Sequence, residues 1–430
     1  MTEPQANSTT RVLLASLVGT TIEFFDFYIY ATAAVLVFPK LFFPGHDPAV
    51  ATLQSLATFA LAFFARPFGS VVFGHFGDRN GRKATLVAAL VTMGFSTVAI
   101  GFLPSYASIG LLAPILLAVC RLGQGLGLGG EWGGAVLLAI ENAPPARRAW
   151  FGMFPQLGAP LGFLMSGGTF YVLSAVLTDE QFLRFGWRIP FLASSALVFV
   201  GLYVRLKINE TPAFQRAIER QERVKVPVFT LLRQHLRDVV LGSVMAMVTF
   251  LLFYILTVFC LSWGTSHLGY TRQQFLLIQM VGMVFFAIFI PCSALLADRR
   301  GRRITLMAVS AGIAGFGLVF APLMNAGLTG TLAAMILGLS LMGLTYGTLG
   351  TALSELYPTS VRYTGSSISF NLAGIFGASL APSIATWLAL HYGLQAVGYY
   401  MSGAALLSLL AFGLSRETRE VSFEAESAPR

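Results

Sequence analysis

Charge is what this sequence has least of. Asp, Glu, Lys and Arg make up 11% of its 430 residues, less than half of the roughly 25% usual in soluble domains. So few charges cannot cover a water-facing surface, which excludes the two or three soluble domains that the length would otherwise suggest. Cysteine is also scarce. Cys120, Cys260 and Cys292 lie far apart inside apolar runs, with no CxxC pair and no Cys/His cluster, so neither a disulfide framework nor a metal site is expected. There is no GxxxxGK[ST] loop and hence no ATP-driven motor of that type in this chain. HExxH, GxSxG and a Ser/His/Asp arrangement are missing too. The chain reads as no enzyme, with no catalytic residue and no cofactor. The first apolar run carries Glu23 and Asp26 and has no small-residue cleavage site, so it reads as a spanning helix and not as a signal peptide.

What is present is apolar. Hydrophobic residues make up 56% of the chain, mean hydropathy is +0.73, and 44 glycines suit helices that pack closely. Crossing a bilayer core takes about 20 apolar residues. Runs of that kind lie at 12–37, 52–76, 84–103, 109–140, 151–176 and 189–206, then at 239–262, 274–297, 304–324, 330–353, 364–390 and 394–414. The expected fold is an all-α membrane protein of about twelve transmembrane helices in two six-helix bundles. Residues 1–206 form the first bundle, 207–238 a linker, and 239–430 the second bundle with a short tail. The linker is expected to be partly helical and amphipathic, lying on the membrane surface. The Gly-rich fourth run is long enough to contain a bend.

The net charge of +9 is distributed in a telling way. Arg79, Arg82, Lys83, Arg147, Arg148, Arg299, Arg300, Arg302, Arg303 and Arg362 fall in loops of one side, with a further eight basic residues in 205–237. The other side holds only Lys40, Arg184, Arg188 and Arg272. Such asymmetry is the positive-inside pattern, which puts both termini in the cytoplasm. A nucleic-acid footprint would be one basic face on a soluble domain, so no nucleic-acid partner is expected; the partner that the pattern implies is the bilayer.

The two halves repeat each other. GHFGDRNGRK (74–83) is echoed by ALLADRRGRR (294–303), matching Asp78 with Asp298. Glu141, Pro144 and Arg148 are echoed at the same spacing by Glu355, Pro358 and Arg362. Two matched loops in both halves point to one duplicated unit. In each first loop a glycine permits the turn, and the acid and bases can bind helix ends and one another.

Five ionisable residues fall well inside spans, all in the first half: Glu23, Asp26, Arg66, Arg121 and Glu131. Each costs about 2.5–3.5 kcal/mol at a helix centre, so such groups are expected to face the bundle interior and to mark a substrate or proton path. Glu23, Asp26 and Tyr30 share a helical face, as do Arg121 and Gln124. Arg66 precedes Pro67, which should kink the helix and free a carbonyl near the guanidinium. A carboxylate near an arginine would be ionised in the empty state and could take a proton when substrate competes for the arginine. Asp26 is the first choice of proton carrier, ahead of Glu131 and Glu23; Glu131 could instead pair with Arg66 or Arg121. Tyr254 with Thr257, Gln279, Tyr346 and Asn371 are weaker candidates for orienting a solute by hydrogen bonds. Gly125-x-Gly127-x-x-Gly130 formally fits a dinucleotide pattern, but no strand precedes it. Its GxxxG spacings suit close helix approach instead.

GHFGDRNGRK resembles the loop motif of the major facilitator superfamily. With GTTIEFFDFYIYATAA (19–34), FARPFGSVVFGHFGDRNGRK (64–83), RLGQGLGLGGEWGGA (121–135), GWRIPFL (186–192) and ELYPTSVRYTGSS (355–367), the chain resembles the metabolite:proton symporter family within it. The likeness runs along nearly the whole chain, and TDEQFLRFGWRIPFL (178–192) is most similar to the shikimate-type branch. The resemblance implies the major facilitator fold and a conformational latch at Asp78, Arg79, Gly81 and Arg82, repeated at Asp298 and Arg302. It implies proton-coupled import of a small organic acid, such as shikimate or a di- or tricarboxylate, across the bacterial inner membrane by alternating access. Arg66, Arg121, Gln124 and Tyr30 would then bind substrate. The energy source would be the proton gradient, and the working unit a monomer. The alternatives are an osmolyte (proline or betaine) symporter, a facilitator or antiporter, and a non-transporting receptor of the same fold.

Overall fold

A computed structural model describes residues 9–45, 47–80, 82–206, 227–358 and 361–420. Ten helical segments among them are long and apolar enough to cross a membrane. An eleventh is a pair, Asp179–Gly186 with Arg188–Val204, bent by 42°, and Val87–Phe102 is apolar but shorter. Together these are the twelve apolar runs of the sequence. The part of the expected linker from 207 to 226 lies outside the described residues. Beyond it stands a short helix, Pro227–Gln234, which leads into the next span from Leu236.

Leaving the shortest turns unnumbered, the first half contains α1 (Thr9–Leu36), α2 (Pro48–Asn80), α3 (Arg82–Phe102), α4 (Leu112–Gly129), α5 (Trp132–Glu141), α6 (Arg148–Val176) and α7 (Arg188–Leu206). The second half contains α8 (Pro227–Gln234), α9 (Leu236–Tyr254), α10 (Cys260–Ser266), α11 (Arg272–Arg300), α12 (Arg302–Met324), α13 (Gly327–Glu355), α14 (Arg362–Gly374), α15 (Ala381–Tyr392) and α16 (Leu394–Leu414). The expected bend in the fourth run is the break at Gly130 and Glu131 between α4 and α5. Pro67 does not break α2, which continues through it.

Helix pairing repeats between the halves. In the first, α1 packs on α6, α2 on α4, and α3 on α7; in the second, α9 packs on α14, α11 on α13, and α12 on α16. The two halves meet chiefly where α6 lies on α11 and where α2 lies on α14 and the π-helical turn Ile375–Ser379. Those two seams are equivalent under the repeat. Glycine makes some contacts possible: a Cβ on Gly129 would collide with the Arg66 carbonyl oxygen, so α2 and α4 meet backbone to backbone.

Buried side chains line the helix interfaces, while Phe68, Phe95, Phe199, Leu410 and other large apolar residues stand on the outside. A helix bundle in lipid needs no polar exterior.

Candidate substrate and proton site, and the seal at the basic end

Halfway along α2 and α4, Arg66 and Arg121 point into the middle of the bundle, 3% and 0% exposed. Their guanidinium groups are held mainly by aromatic rings. The Arg66 Cζ lies 4.5 Å from the ring centres of both Phe27 and Phe63. The Arg121 Cζ lies 4.2 Å from Phe27, 4.0 Å from Tyr30 and 5.0 Å from Phe59. Phe27 therefore serves both cations. Tyr254 of the second half closes the cluster, 5.3 Å from Phe63 and 5.4 Å from Phe59 between ring centres. Tyr28 and Phe253 extend the ring packing across the halves at 5.3 Å.

Arg121 gives Nε–H to the Phe59 carbonyl at 3.3 Å and Nη1–H to the Gln124 Oε1 at 2.9 Å. Its Nη2 makes no hydrogen bond, and neither does Arg66 Nε. Among the described residues no ion pair joins either arginine to a carboxylate, Glu131 included. The expected direct contact between an acid and these arginines is therefore not found. Two buried cations with unfilled N–H groups are costly until an anion enters.

Asp26 is fully buried on α1 but faces away from the arginines, toward α3 and α7. The Ser194 hydroxyl donates to its Oδ1 at 2.5 Å, and the Thr97 hydroxyl stands beside the carboxyl. Glu23 is buried one turn away, and Glu131 is buried at the break between α4 and α5. Tyr30 places its ring on Arg121 and donates its hydroxyl proton to Thr58 at 2.8 Å.

The weaker candidates separate. Tyr254 belongs to the central cluster, and Tyr346 packs beside it through Phe286. Gln279 spends its amide on backbone: Nε2 donates to the Leu256 and Thr257 carbonyls of a π-helical turn at 3.0 and 2.6 Å. The Thr257 hydroxyl goes to the Phe253 carbonyl. Asn371 crosses the halves, donating from Nδ2 to Ser70 Oγ at 2.6 Å. Gln156, which did not stand out in the sequence, also joins the halves, from α6 to α13. It accepts from Trp132 Nε1 at 3.0 Å and donates to the Tyr346 carbonyl at 2.9 Å. Trp132 in turn stacks flat on Phe370 of the second half, 3.5 Å between ring centres. A count of every polar residue inside a span, charged or not, would have found Gln156.

At the end carrying the basic loops the halves are sealed. Asp298 accepts the Ala149 and Trp150 backbone N–H groups at 3.1 and 3.0 Å, capping the first turn of α6 across the seam. Arg302 bonds Asp298 at 3.1 Å and grips Glu355 with two N–H groups at 3.1 and 3.2 Å. Arg148 lies 4.0 Å from the same carboxylate, and Thr418 donates to it at 2.8 Å. Glu417 accepts the backbone N–H groups of Arg302 and Arg303, so the chain just past α16 is part of the seal. Gly301 turns the loop at φ 101°, a region where only glycine is unstrained. Of the first copy of this motif, Gly81 lies outside the described residues, as do the side chains of Asp78, Arg79 and Arg82. At the opposite end a cavity of about 890 Å³ opens between the halves, lined by Lys40, Ser174, Asp179, Ser262 and Arg272 among others.

Residues 16–378 match the Major Facilitator Superfamily. The chain is 56% identical over 422 residues to the inner membrane metabolite transport protein YhjE of Escherichia coli (strain K12), covering 97% of this chain and 96% of that one. It is 35% identical to the shikimate transporter of the same organism, covering 95% of each. It is 33% identical to the proline/betaine transporter of Salmonella typhimurium, covering 95% of this chain and 83% of that protein. Among solved structures, the proton:xylose symporter XylE superposes with a TM-score of 0.76 at 17% identity, covering 95% of this chain and 96% of that one.

Proposed function

This chain belongs to the major facilitator superfamily, and we propose on that premise that it imports a small organic acid together with protons. Its relatives are transporters and not enzymes, and one is named for the inner membrane. The observation that carries the reading is the pair Arg66 and Arg121, buried without a carboxylate partner among the described residues and each with an N–H left unfilled. A carboxylate entering between them would supply the missing charge and hydrogen bonds together, in a setting where charge-assisted bonds are strong. Shikimate or a di- or tricarboxylate fits this chemistry. The proline/betaine relative keeps the osmolyte reading in play, since aromatic cages also hold quaternary ammonium groups. Here, however, guanidinium groups already occupy the ring faces.

Asp26 is the proposed proton carrier, and the proton gradient the energy source, with no cofactor. Exchange of access between the open end and the sealed basic end would carry the solute through, in a monomer spanning the inner membrane with both termini in the cytoplasm. The test is uptake of labelled shikimate, oxoglutarate, citrate and betaine into proteoliposomes, with and without an inward proton gradient. Gradient-driven accumulation of an acid by the natural chain, lost in Asp26→Asn while exchange of that acid continues, is the expected result. Accumulation undiminished in Asp26→Asn would remove Asp26 from the proton path, and equilibration indifferent to the gradient would make the protein a facilitator.

A further inference from the structure

The cavity at the end opposite the seal carries charges of its own. Lys40, on the short turn Phe38–Leu41 after α1, and Arg272, the first residue of α11, both line it, together with the carboxylate of Asp179. Thr52, Ser174 and Ser262 add hydroxyls. Asp179 and Arg272 form an ion pair from one half to the other, whereas Lys40 makes no ion pair among the described residues. Resting on the reading of the cargo as an organic acid, we propose that this cavity is an entry site, where the carboxylate of the solute takes Arg272 over from Asp179 and gains Lys40 as a second cation.

The two partners of the pair are held very differently. The Asp179 side chain is 89% exposed and that of Arg272 18%. An ion pair with one partner in open water contributes little to stability, because water competes for the carboxylate. Arg272 has a second hold. Its Cζ lies 3.9 Å from the ring centre of Phe182, a fully buried residue of the first half, so the guanidinium stays in the wall when Asp179 turns away. Its Nε makes no hydrogen bond, and neither does Ser174 Oγ. The backbone on both sides is fixed independently of the pair. Thr178 and Gln181 form a capping box around Asp179, and Thr271 and Gln274 form one around Arg272. One carboxylate can therefore replace another without disturbing the local fold.

With Asp179 turned into the water, Lys40 and Arg272 leave two positive charges on the wall, one from each half. That suits a small carboxylate, and the hydroxyls beside them can give or accept hydrogen bonds to a hydroxylated one. The loop carrying Lys40 runs through Pro39, Pro44 and Pro48 in the same wall, and their fixed φ angles limit the freedom lost on binding. A carboxylate held by both cations links the halves where Asp179 linked them before, at the outer end of the α6–α11 seam; Asp298 caps α6 at its other end. Asp179 is then a competitor of the solute and Arg272 its receptor, so removing one or the other acts in opposite directions.

The test is protection of a cysteine in the cavity wall. With Cys120, Cys260 and Cys292 replaced and Ser262→Cys introduced, reaction with a membrane-impermeant maleimide is timed with and without shikimate, oxoglutarate or citrate at constant ionic strength. At least one acid should slow the reaction about tenfold, and should still do so in Arg121→Gln, where the central cluster is impaired. Arg272→Gln should abolish the protection, and Asp179→Asn should bring half-protection at about tenfold lower acid. If the pair is only a tie between the halves, both replacements break the same tie and shift half-protection the same way, which overturns the proposal. Equal protection by sulfate, which marks screening of positive charge, also overturns it, as does loss of protection in Arg121→Gln, which marks the central cluster. Proteoliposome uptake separates this site from the transport reading. Protection that follows Arg272 and Asp179, with no accumulation of any acid, leaves the site standing while organic-acid import fails. Accumulation without protection overturns the site and leaves import standing.

Discussion

Phe27 lies against both buried arginines, 4.5 Å from the Cζ of one and 4.2 Å from that of the other. Its ring face substitutes for the anionic partner that neither cation has among the described residues. Each such contact is worth about 0.5–2 kcal/mol, more when desolvated. Replacing Phe27 by Leu keeps an apolar side chain of somewhat smaller volume and removes both interactions. The expected outcome is a KM for the transported acid raised about tenfold with little change in maximal rate, read from initial uptake rates. An unchanged KM would mean that the ring only fills space. At this scale the sequence was partly readable. Charges inside apolar runs stand out, and Glu23, Asp26, Arg66, Arg121 and Glu131 are all buried. Ser194 and Thr97 did not stand out, because a hydroxyl is common in membrane helices and usually bonds the carbonyl one turn back, as Thr97 does to Met93.

At the scale of the element, the seal at the basic end is a helix-capping problem. The first N–H groups of α6 have no partner within their own helix, and Asp298 at the end of α11 supplies one from the other half. Hydrogen bonds to a charged group contribute about 1.5–3 kcal/mol. Asp298→Asn removes the charge, weakens the cap and cuts the Arg302 contact. Spin labels at Arg147 and Arg299, which line one pocket on either side of this seam, should then report a longer-distance population by double electron–electron resonance. Its share should rise about tenfold, and a distance distribution matching the natural chain would show that the seal does not depend on Asp298. The motif carrying Asp298 was legible because it occurs twice. Its partners Ala149 and Trp150 were not, since they contribute backbone and leave no mark in the residue types. Gln279 and Asn371 illustrate the converse: of these polar groups that read as solute ligands, the Gln279 NH2 is taken up by a π-helical turn, its Oε1 staying without a hydrogen bond, and the Asn371 NH2 by the seam between halves.

Across the whole molecule the open cavity at one end and the seal at the other belong to one balance. The halves can rock only if α6 slides on α11 and α2 on α14. Weakening the seal should therefore close the cavity. With Cys120, Cys260 and Cys292 replaced, a cysteine put in place of Ser262, in the cavity wall, should react readily with a membrane-impermeant maleimide. Adding Asp298→Asn should slow that reaction about tenfold, if the seal holds the balance by about 1.4 kcal/mol. An equal rate in both backgrounds would mean that the two ends move independently.

The sequence by itself determined the class, the twelve apolar runs, the duplication and the burial of the charges. Each of these follows from composition, length or spacing, which the bilayer constrains directly: charge is costly in hydrocarbon, and crossing takes a fixed number of residues. It also determined the break in the fourth run, because glycines in series mark where a helix can give way. Only the tertiary structure decided which buried groups meet. It set Arg66 and Arg121 against aromatic rings and, among the described residues, paired neither with a carboxylate, turned Asp26 toward Ser194, gave the Gln279 NH2 to backbone and set Asn371 across a seam. A helix face is readable from a period of 3.6 residues. The neighbour across that face depends on how helices distant in sequence rotate and cross, and no local spacing records it.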